Sequence, residues 1–208
     1  MLKIAVAANK EKEGADALAE RIVCEFPENC FIADDEKKAD AAVILGGDGT
    51  ILSAVRRFPG LELLGVNFGT IYMTAVEKDG AIEAVRRVIA GDYTAEERMM
   101  LSVTVKRAGK IISESDALND GVLSRRERVL SLDEYFGGEK VYSFTGDGVI
   151  IATPTGSTAY SLSAGGPVAP PDMKAIISTP VCPHSIHIRP LIAPEETFIK
   201  VTVRNEAG

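Results

Sequence analysis

Basic charge is in short supply in this sequence. Lys and Arg number 23 against 30 Asp and Glu, for a net charge of −7 at pH 7. A general nucleic-acid binder needs a basic face that displaces counterions from phosphates, so that class is set aside. The nearest approach to a basic cluster, Arg125-Arg126-Glu127-Arg128, is interrupted by an acid. It reads as a solvated strand end or loop, with contact to a phosphate as the other reading. Cysteine is scarce too. Cys24, Cys30 and Cys182 are an odd number without metal-ligand spacing, which fits a reducing cytoplasm and gives them no chemistry. The two histidines, His184 and His187, lie close to Cys182. They lack a fourth ligand, and Pro180 and Pro183 stiffen the loop, so a metal centre there is not expected. No apolar run approaches the roughly 18 residues of a membrane span. Met1 to Ala8 continues directly into Asn9-Lys10-Glu11, without the apolar core of a signal peptide. Internal repeats and low-complexity segments are also absent.

What is present is an ordinary globular composition. The 208 residues are 46% apolar and 25% charged, enough for one large domain or two small ones with a sizeable core. Leu2 to Ala7 reads as a first strand. Ala15, Leu18, Ala19, Ile22, Val23 and Phe26 recur at helical spacing, and Pro27 ends that helix. Cys30 to Ile32 is a short second strand, and the charge run from Asp34 to Asp40 a solvated connection. Ala41 to Leu45 is wholly apolar, as expected of a central parallel strand buried on both faces.

That strand runs into Gly46-Gly47-Asp48-Gly49-Thr50, and a helix follows with Ile51, Leu52 and Val55. Strand, glycine turn and helix put Asp48 at the carboxyl end of a strand, where open α/β sheets bind ligands. Glycines let backbone approach a phosphate, and a helix start favours its charge. The turn has neither the P-loop nor the dinucleotide spacing. An acid in such a loop either manages Mg²⁺ and takes a proton from an attacking hydroxyl, or is only a turn residue. Leu61 to Val66 forms another strand, leading to Asn67-Phe68-Gly69. Asp79 is expected to cap a helix with Ile82, Val85 and Ile89 inward, closed by Gly91.

From Met99 the pattern changes to period two: Leu101, Val103, Val105, a turn at Ala108-Gly109, then Ile111. Val129 to Phe136 and Lys140 to Phe144 flank Gly137-Gly138, a hairpin signal. Ala175 to Thr179 and Thr197 to Val203 are further strands. The change falls between Gly91 and Glu97 and divides the chain into an α/β domain, 1–94, and a β-rich domain, 95–208. Within the second, Asn119 and Asp120 could bond a ribose diol or an amide, although most such Asn-Asp-Gly triplets are plain turns. The longest distinctive segment is Thr145 to Pro171. An acidic turn, Gly146-Asp147-Gly148, opens a buried strand that Pro154 stops. Thr155 or Ser157 is expected to cap a short helix through Ser163, ended by Gly165-Gly166, with free N–H groups facing a phosphate or ribose oxygen.

Read in order, these segments resemble the NAD kinase family. The resemblance rests on GGDGT at 46–50, GVNFG at 65–69, ERMML at 97–101, ALND at 117–120, GDGVIIATPTGSTAYSLSAGGP at 146–167 and TPVCPHSIHIRPL at 179–191. GGDGT alone also occurs in lipid kinases and some phosphofructokinases, whereas TPTGSTAY following it is strongly specific. The resemblance implies an α/β N-terminal domain and a β-rich C-terminal domain with the site between them. It implies phosphorylation of the adenosine-ribose 2′-hydroxyl of NAD to NADP, with ATP or polyphosphate as donor and Mg²⁺ accompanying it.

By the same resemblance Asp48 is the catalytic residue and Gly49 lets the pyrophosphate come close. Tyr72 is the aromatic near adenine. Asn119 and Asp120 hold the nicotinamide-side ribose, with Asp120 where Glu is commoner. Asp147 contacts the nicotinamide end. Thr158, Ala159, Tyr160 and Ser163 wall the adenine and ribose, and His184 lies near the site. No nucleic-acid or membrane partner is expected, and a cytoplasmic homodimer or homotetramer is. Two departures stand out. At Ile71-Tyr72 either Tyr replaces the family's glycine or, the preferred reading, one residue is missing, and the chain stops tens of residues before the family's usual end. A lipid or sugar kinase sharing the GGDGT turn, or an NAD-binding member that no longer transfers phosphate, are the competing readings.

Overall fold

Strand β3 shows why the first half folds as it does. The computed structural model describes residues 1–33, 39–69 and 75–204, which form two compact units, Met1–Glu96 and Glu97–Gly208. In the first, the elements run β1 (Ile4–Ala8), α1 (Ala15–Glu25), β2 (Cys30–Ile32), β3 (Ala41–Gly46), α2 (Asp48–Arg57), β4 (Glu62–Asn67), β5 (Val76–Glu77) and α3 (Ala81–Ala90). All six residues of β3 are buried. The sheet order is β2-β1-β3-β4-β5, parallel throughout.

Side chains alternate across the sheet. Val43 and Leu45 join the core under α1 and α3, with Leu18, Ile22 and Val85. Ala42 and Ile44 join the core under α2, with Ile51, Ala54 and Phe58. Helices therefore cover both faces, which is what an apolar strand without alternation requires. Because β1 is flanked by β2 and β3, the connections leave in opposite directions. The crevice at the carboxyl ends of β1 and β3 is the topological switch point.

One boundary of α3 differs from the expectation and the other agrees with it. Asp79 does not cap α3: it lies in a 3-10 turn, Lys78–Gly80, and Gly80 takes the cap position without a side-chain bond. At the other end Gly91 adopts φ 73 and receives the chain as expected.

The second unit is antiparallel. Its elements are β6 (Leu101–Arg107), β7 (Lys110–Ala117), β8 (Asp120–Ser124), β9 (Leu130–Phe136), β10 (Glu139–Gly146), β11 (Gly148–Ala152), α4 (Tyr160–Ser163), β12 (Ala175–Val181), β13 (Leu191–Pro194) and β14 (Ile199–Val203). They pair as a β6-β7 hairpin, a four-stranded sheet β13-β12-β11-β8 and a three-stranded sheet β10-β9-β14. Strand β11 is central. Val149 packs with Leu132 and Phe144 of the three-stranded sheet, while Ile150 and Ala152 pack with Ile177 and Ala169 on the other face.

Between these sheets lies a buried carboxyl. Glu134 of β9 is fully buried, and the Ser178 hydroxyl of β12 donates to its Oε1. Its Oε2 has no hydrogen-bond partner among the described residues. Burial pushes the Glu134 carboxyl up, and the Ser178 bond opposes this only in part. The adjacent Asp133 shifts the other way: a hydrogen bond from Ser143 (2.6 Å), then the charges of Lys140 and Arg204, draw it down.

A carboxyl whose folded-state pKa is raised holds its proton longer in the folded chain than in the unfolded one. Its contribution to stability is complete below the ordinary glutamate range and is lost as pH climbs from that range through the raised value. Glu134→Gln removes this titration. The expected result is that the stability difference, Gln variant minus wild type, grows with pH across that window in denaturant unfolding. A constant difference would show that the carboxyl titrates normally.

Candidate functional site

In the first unit the switch point is built by hydrogen bonds among three loops. After β1, the Asn9 backbone N–H donates to the Leu45 carbonyl (2.9 Å) and the Asn9 side chain donates to Thr50 Oγ1 (3.2 Å). Asn9 Oδ1 accepts from the Glu11 N–H (3.0 Å), which folds the loop back on itself. After β3, Gly47 is extended at the N-cap of α2, and its carbonyl accepts from Thr50 and Ile51 at 2.9 and 3.1 Å. After β4, the Phe68 N–H donates to the Gly46 carbonyl (2.9 Å), and Asn67 Oδ1 accepts from Gly69 (2.8 Å).

Asp48 thus occupies the first turn of α2 at the carboxyl end of the sheet, half-buried, and Gly49 beside it is exposed with open space where a side chain would stand. Among the described residues, no group of three or more His, Cys, Asp or Glu is arranged to hold a metal ion. Tyr72 falls within 70–74, outside the described residues.

In the second unit the central feature is a clasp between two loops. Thr153, just after β11, donates its N–H to the Asn119 carbonyl (2.8 Å) and its hydroxyl to the Leu118 carbonyl (2.5 Å). The same hydroxyl oxygen accepts from the Gly156 N–H (3.0 Å). A Cβ on Gly156 would lie 2.0 Å from the Asn119 carbonyl oxygen and 2.7 Å from its Cα. Only glycine fits against that backbone. The clasp holds Asn119 and Asp120 beside Thr155–Thr158. Ser157 is buried and exchanges bonds with Ala169, accepting from its N–H (3.0 Å) and donating to its carbonyl (3.2 Å).

The expected capped helix takes a different form. Thr155–Thr158 is a 3-10 turn, Ala159 breaks it, and α4 is a single turn. Neither Thr155 nor Ser157 caps it; the capping hydroxyl is Thr153. Two short turns separated by a break do not sum to a helix dipole, so the segment presents hydroxyls and a ring rather than an anion-binding helix start. Thr158, Tyr160 and Ser163 are exposed and Ala159 is half-buried.

Asn119 Oδ1 is buried without a hydrogen-bond partner, and burial pushes the neighbouring Asp120 carboxyl up. Among the described residues, the Asn119 amide oxygen thus lacks the partner that its burial demands. Asp147 and His184 stand elsewhere. Asp147 precedes β11, which pairs Gly148 with Ser124 and Ala152 with Asp120. The length of β11 therefore separates Asp147 from Asp120, about 16 Å at roughly 3.3 Å per residue. Arg125 Nε grips Asp147 Oδ1 at 2.7 Å, and the His184 N–H donates to the Thr145 carbonyl (2.8 Å), leaving an exposed imidazole.

Sequence reasoning missed Arg125 as a partner, Asn9 as a loop tie and Thr153 as the cap. Only Thr153 carried a local signal, a hydroxyl three residues before Gly156. Replacing Gly156 with Ala is expected to destabilise the second unit by about 2 kcal/mol or more, because backbone must move to admit the methyl. Chemical denaturation measures this, and an unchanged midpoint would show that the clasp yields freely.

Comparison with known proteins follows the same division. The family model for the ATP-NAD kinase N-terminal domain matches residues 3–93, and that for the ATP-NAD kinase C-terminal domain matches residues 119–208. The NAD kinase of Acetivibrio thermocellus is 40% identical over the whole chain, which covers 81% of that protein. The NAD kinase of Symbiobacterium thermophilum is 43% identical over 82% of the chain, which covers 62% of it. The chain thus spans about three fifths of the length of several such relatives. Among solved structures, yeast NADH kinase complexed with NADH superposes with a TM-score of 0.88 at 28% identity, over 97% of this chain and 72% of that one. An NAD kinase from Archaeoglobus fulgidus in complex with ATP gives 0.81 at 25% identity, over 97% and 81%. With both domain models matched and relatives near 40% identity along its length, this chain belongs to the NAD kinase family.

Proposed function

We propose that the chain phosphorylates the 2′-hydroxyl of the adenosine ribose of NAD, with ATP or polyphosphate as donor, giving NADP. The observation that carries this reading is Asp48, half-buried in the first turn of α2 at the switch point of the parallel sheet. A carboxylate there can orient the ribose hydroxyl and accept its proton while the hydroxyl oxygen attacks the terminal phosphorus and the donor's remaining phosphate leaves with its bonding pair. Gly49 leaves room for a pyrophosphate beside it.

The second unit supplies nucleoside contacts. The unpartnered Asn119 Oδ1 accepts a hydrogen bond from a ribose hydroxyl, and Asp120 takes a second. Tyr160, 47% exposed, offers a ring face to a base, with Thr158, Ala159 and Ser163 around it. Asp147 and His184 serve the nicotinamide end, and Tyr72 the adenine. Asp48 is the residue that would hold Mg²⁺ here, since Mg²⁺ is commonly held by one or two carboxylates plus substrate. When bound it neutralises phosphate charge. A cytoplasmic homodimer or homotetramer completes the reading, supported by family resemblance and by three unpaired thiols. The lipid- or sugar-kinase alternative finds no support among these relatives.

The test is NADP formation by the purified chain from NAD, Mg²⁺ and either donor, read by an NADP-specific dehydrogenase. Asp48→Asn is expected to lower turnover at least about 100-fold, the lower range for loss of a general base, with a much smaller loss of NAD binding. Equal loss of both would make Asp48 a structural turn residue. NAD binding without NADP from either donor would favour a member that binds without transferring.

A further inference from the structure

The switch point contains an unused cation. Lys12, in the loop between β1 and α1, is half-buried, yet among the described residues its ammonium makes no hydrogen bond or ion pair. With no ion-pair partner among the described residues, this ammonium is available to an anion that enters the switch point. Its position is fixed from both sides. The Lys12 N–H donates to the Asn9 carbonyl (2.9 Å), and Asn9 is tied to Leu45 and Thr50. The ammonium lies beside Gly69, where a Cβ would stand 3.4 Å from Nζ. Any side chain at 69 would therefore cover the ammonium. Gly69 in turn follows Phe68, which is bonded to Gly46. A second ammonium, Lys78, sits over the Phe68 ring at 4.4 Å. Glu77 beside this turn already accepts from Asn67 (3.0 Å).

We infer that Lys12 binds the phosphate chain of the phosphoryl donor, holding it across the carboxyl ends of β1, β3 and β4. This rests on the phosphotransferase reading above and adds to it a named donor-side contact. The ammonium lies beside Gly69, and the nearby Asn9 and Asn67 amides are already engaged within the loops, so the contact is to phosphate and not to the nucleoside. It also answers the charge problem of Asp48, since an acid at a polyanion site needs fixed positive charge nearby.

Inorganic tripolyphosphate is the probe, titrated calorimetrically into the wild-type chain and into Lys12→Met and Lys12→Arg. A charge-assisted contact predicts about tenfold weaker binding to Lys12→Met, near-recovery in Lys12→Arg, and a shallower dependence of affinity on salt in the Met variant. The unfolding midpoint and NAD affinity stay at wild-type values. Equal tripolyphosphate affinity in all three chains, no tripolyphosphate binding by the wild type, or parallel loss of NAD affinity would overturn the inference. The two readings fail separately. Tripolyphosphate binding that depends on Lys12, with no NADP formed, removes the activity and keeps the anion site. NADP formation with an unchanged donor KM in Lys12→Met keeps the activity and removes Lys12 from it.

Discussion

Burial of one strand on both of its faces is the constraint from which each unit's chemistry follows. Strand β3 is buried throughout and β11 nearly so. A strand in that position cannot carry polar side chains, so the first groups able to meet a ligand are those at its ends. In the first unit this puts Gly47 and Asp48 immediately beyond β3, beside Asn9 beyond β1 and Phe68 beyond β4. In the second it puts Thr153 immediately beyond β11, and Thr153 is the residue that locks the Asn119 loop in place. The sites are thus placed by the core and not by their own polar residues.

The electrostatics of the two units differ in kind. The loops of the first unit's switch point offer backbone, glycine and two lysines whose ammonium groups are held near Phe68 and Gly69. Around Asn119 and Asp120 it offers desolvated acceptors, one without any partner and one whose carboxyl burial pushes up. The first environment suits phosphate and the second suits hydroxyl donors such as a ribose diol. That is the pair of chemistries a nucleotide kinase must bring to bear. Glu134 shows that desolvation alone does not mark a ligand site. It is fully buried, but it lies between two sheets with Ser178 as its only hydrogen-bond partner among the described residues.

Much of the fold was legible because strong patterns agreed with one another. The apolar run of β3, the helical spacing of Ala15, Leu18 and Ile22, and the Gly137-Gly138 turn between alternating strands each lie where the sequence put them. Two short elements were not legible, β5 with two residues and β13 with four, too few for a period to show, although the three-residue β2 was read from its apolar run. Strand β8 was hidden because Asn119-Asp120-Gly121 reads locally as a turn, and only pairing with β11 makes Asp120 a strand residue. The helix after Pro154 was misjudged for a related reason. Hydroxyl residues are good caps by propensity, but Gly156 must press against the Asn119 backbone, and this breaks the segment into two turns. Pairing across long sequence distances is what the local pattern cannot encode.

The candidate site shows the same limit more sharply. Asp48, Asn119 and Asp120 were identifiable because their turns are distinctive, but what makes each of them usable comes from residues remote in sequence. Asp48 depends on Asn9 and Phe68, both bonded to its own loop from neighbouring strands. Asp147 looks like a free acid in an acidic turn until Arg125, 22 residues earlier, is seen to hold it. The net charge of −7 carries the argument to its last step. A chain with this balance cannot attract polyanions with its overall field, so any phosphate it binds must be met by a few cations fixed at short range. Loops tied to one another by backbone bonds can hold a cation in that way, and the three loops above β1, β3 and β4 are tied in that way.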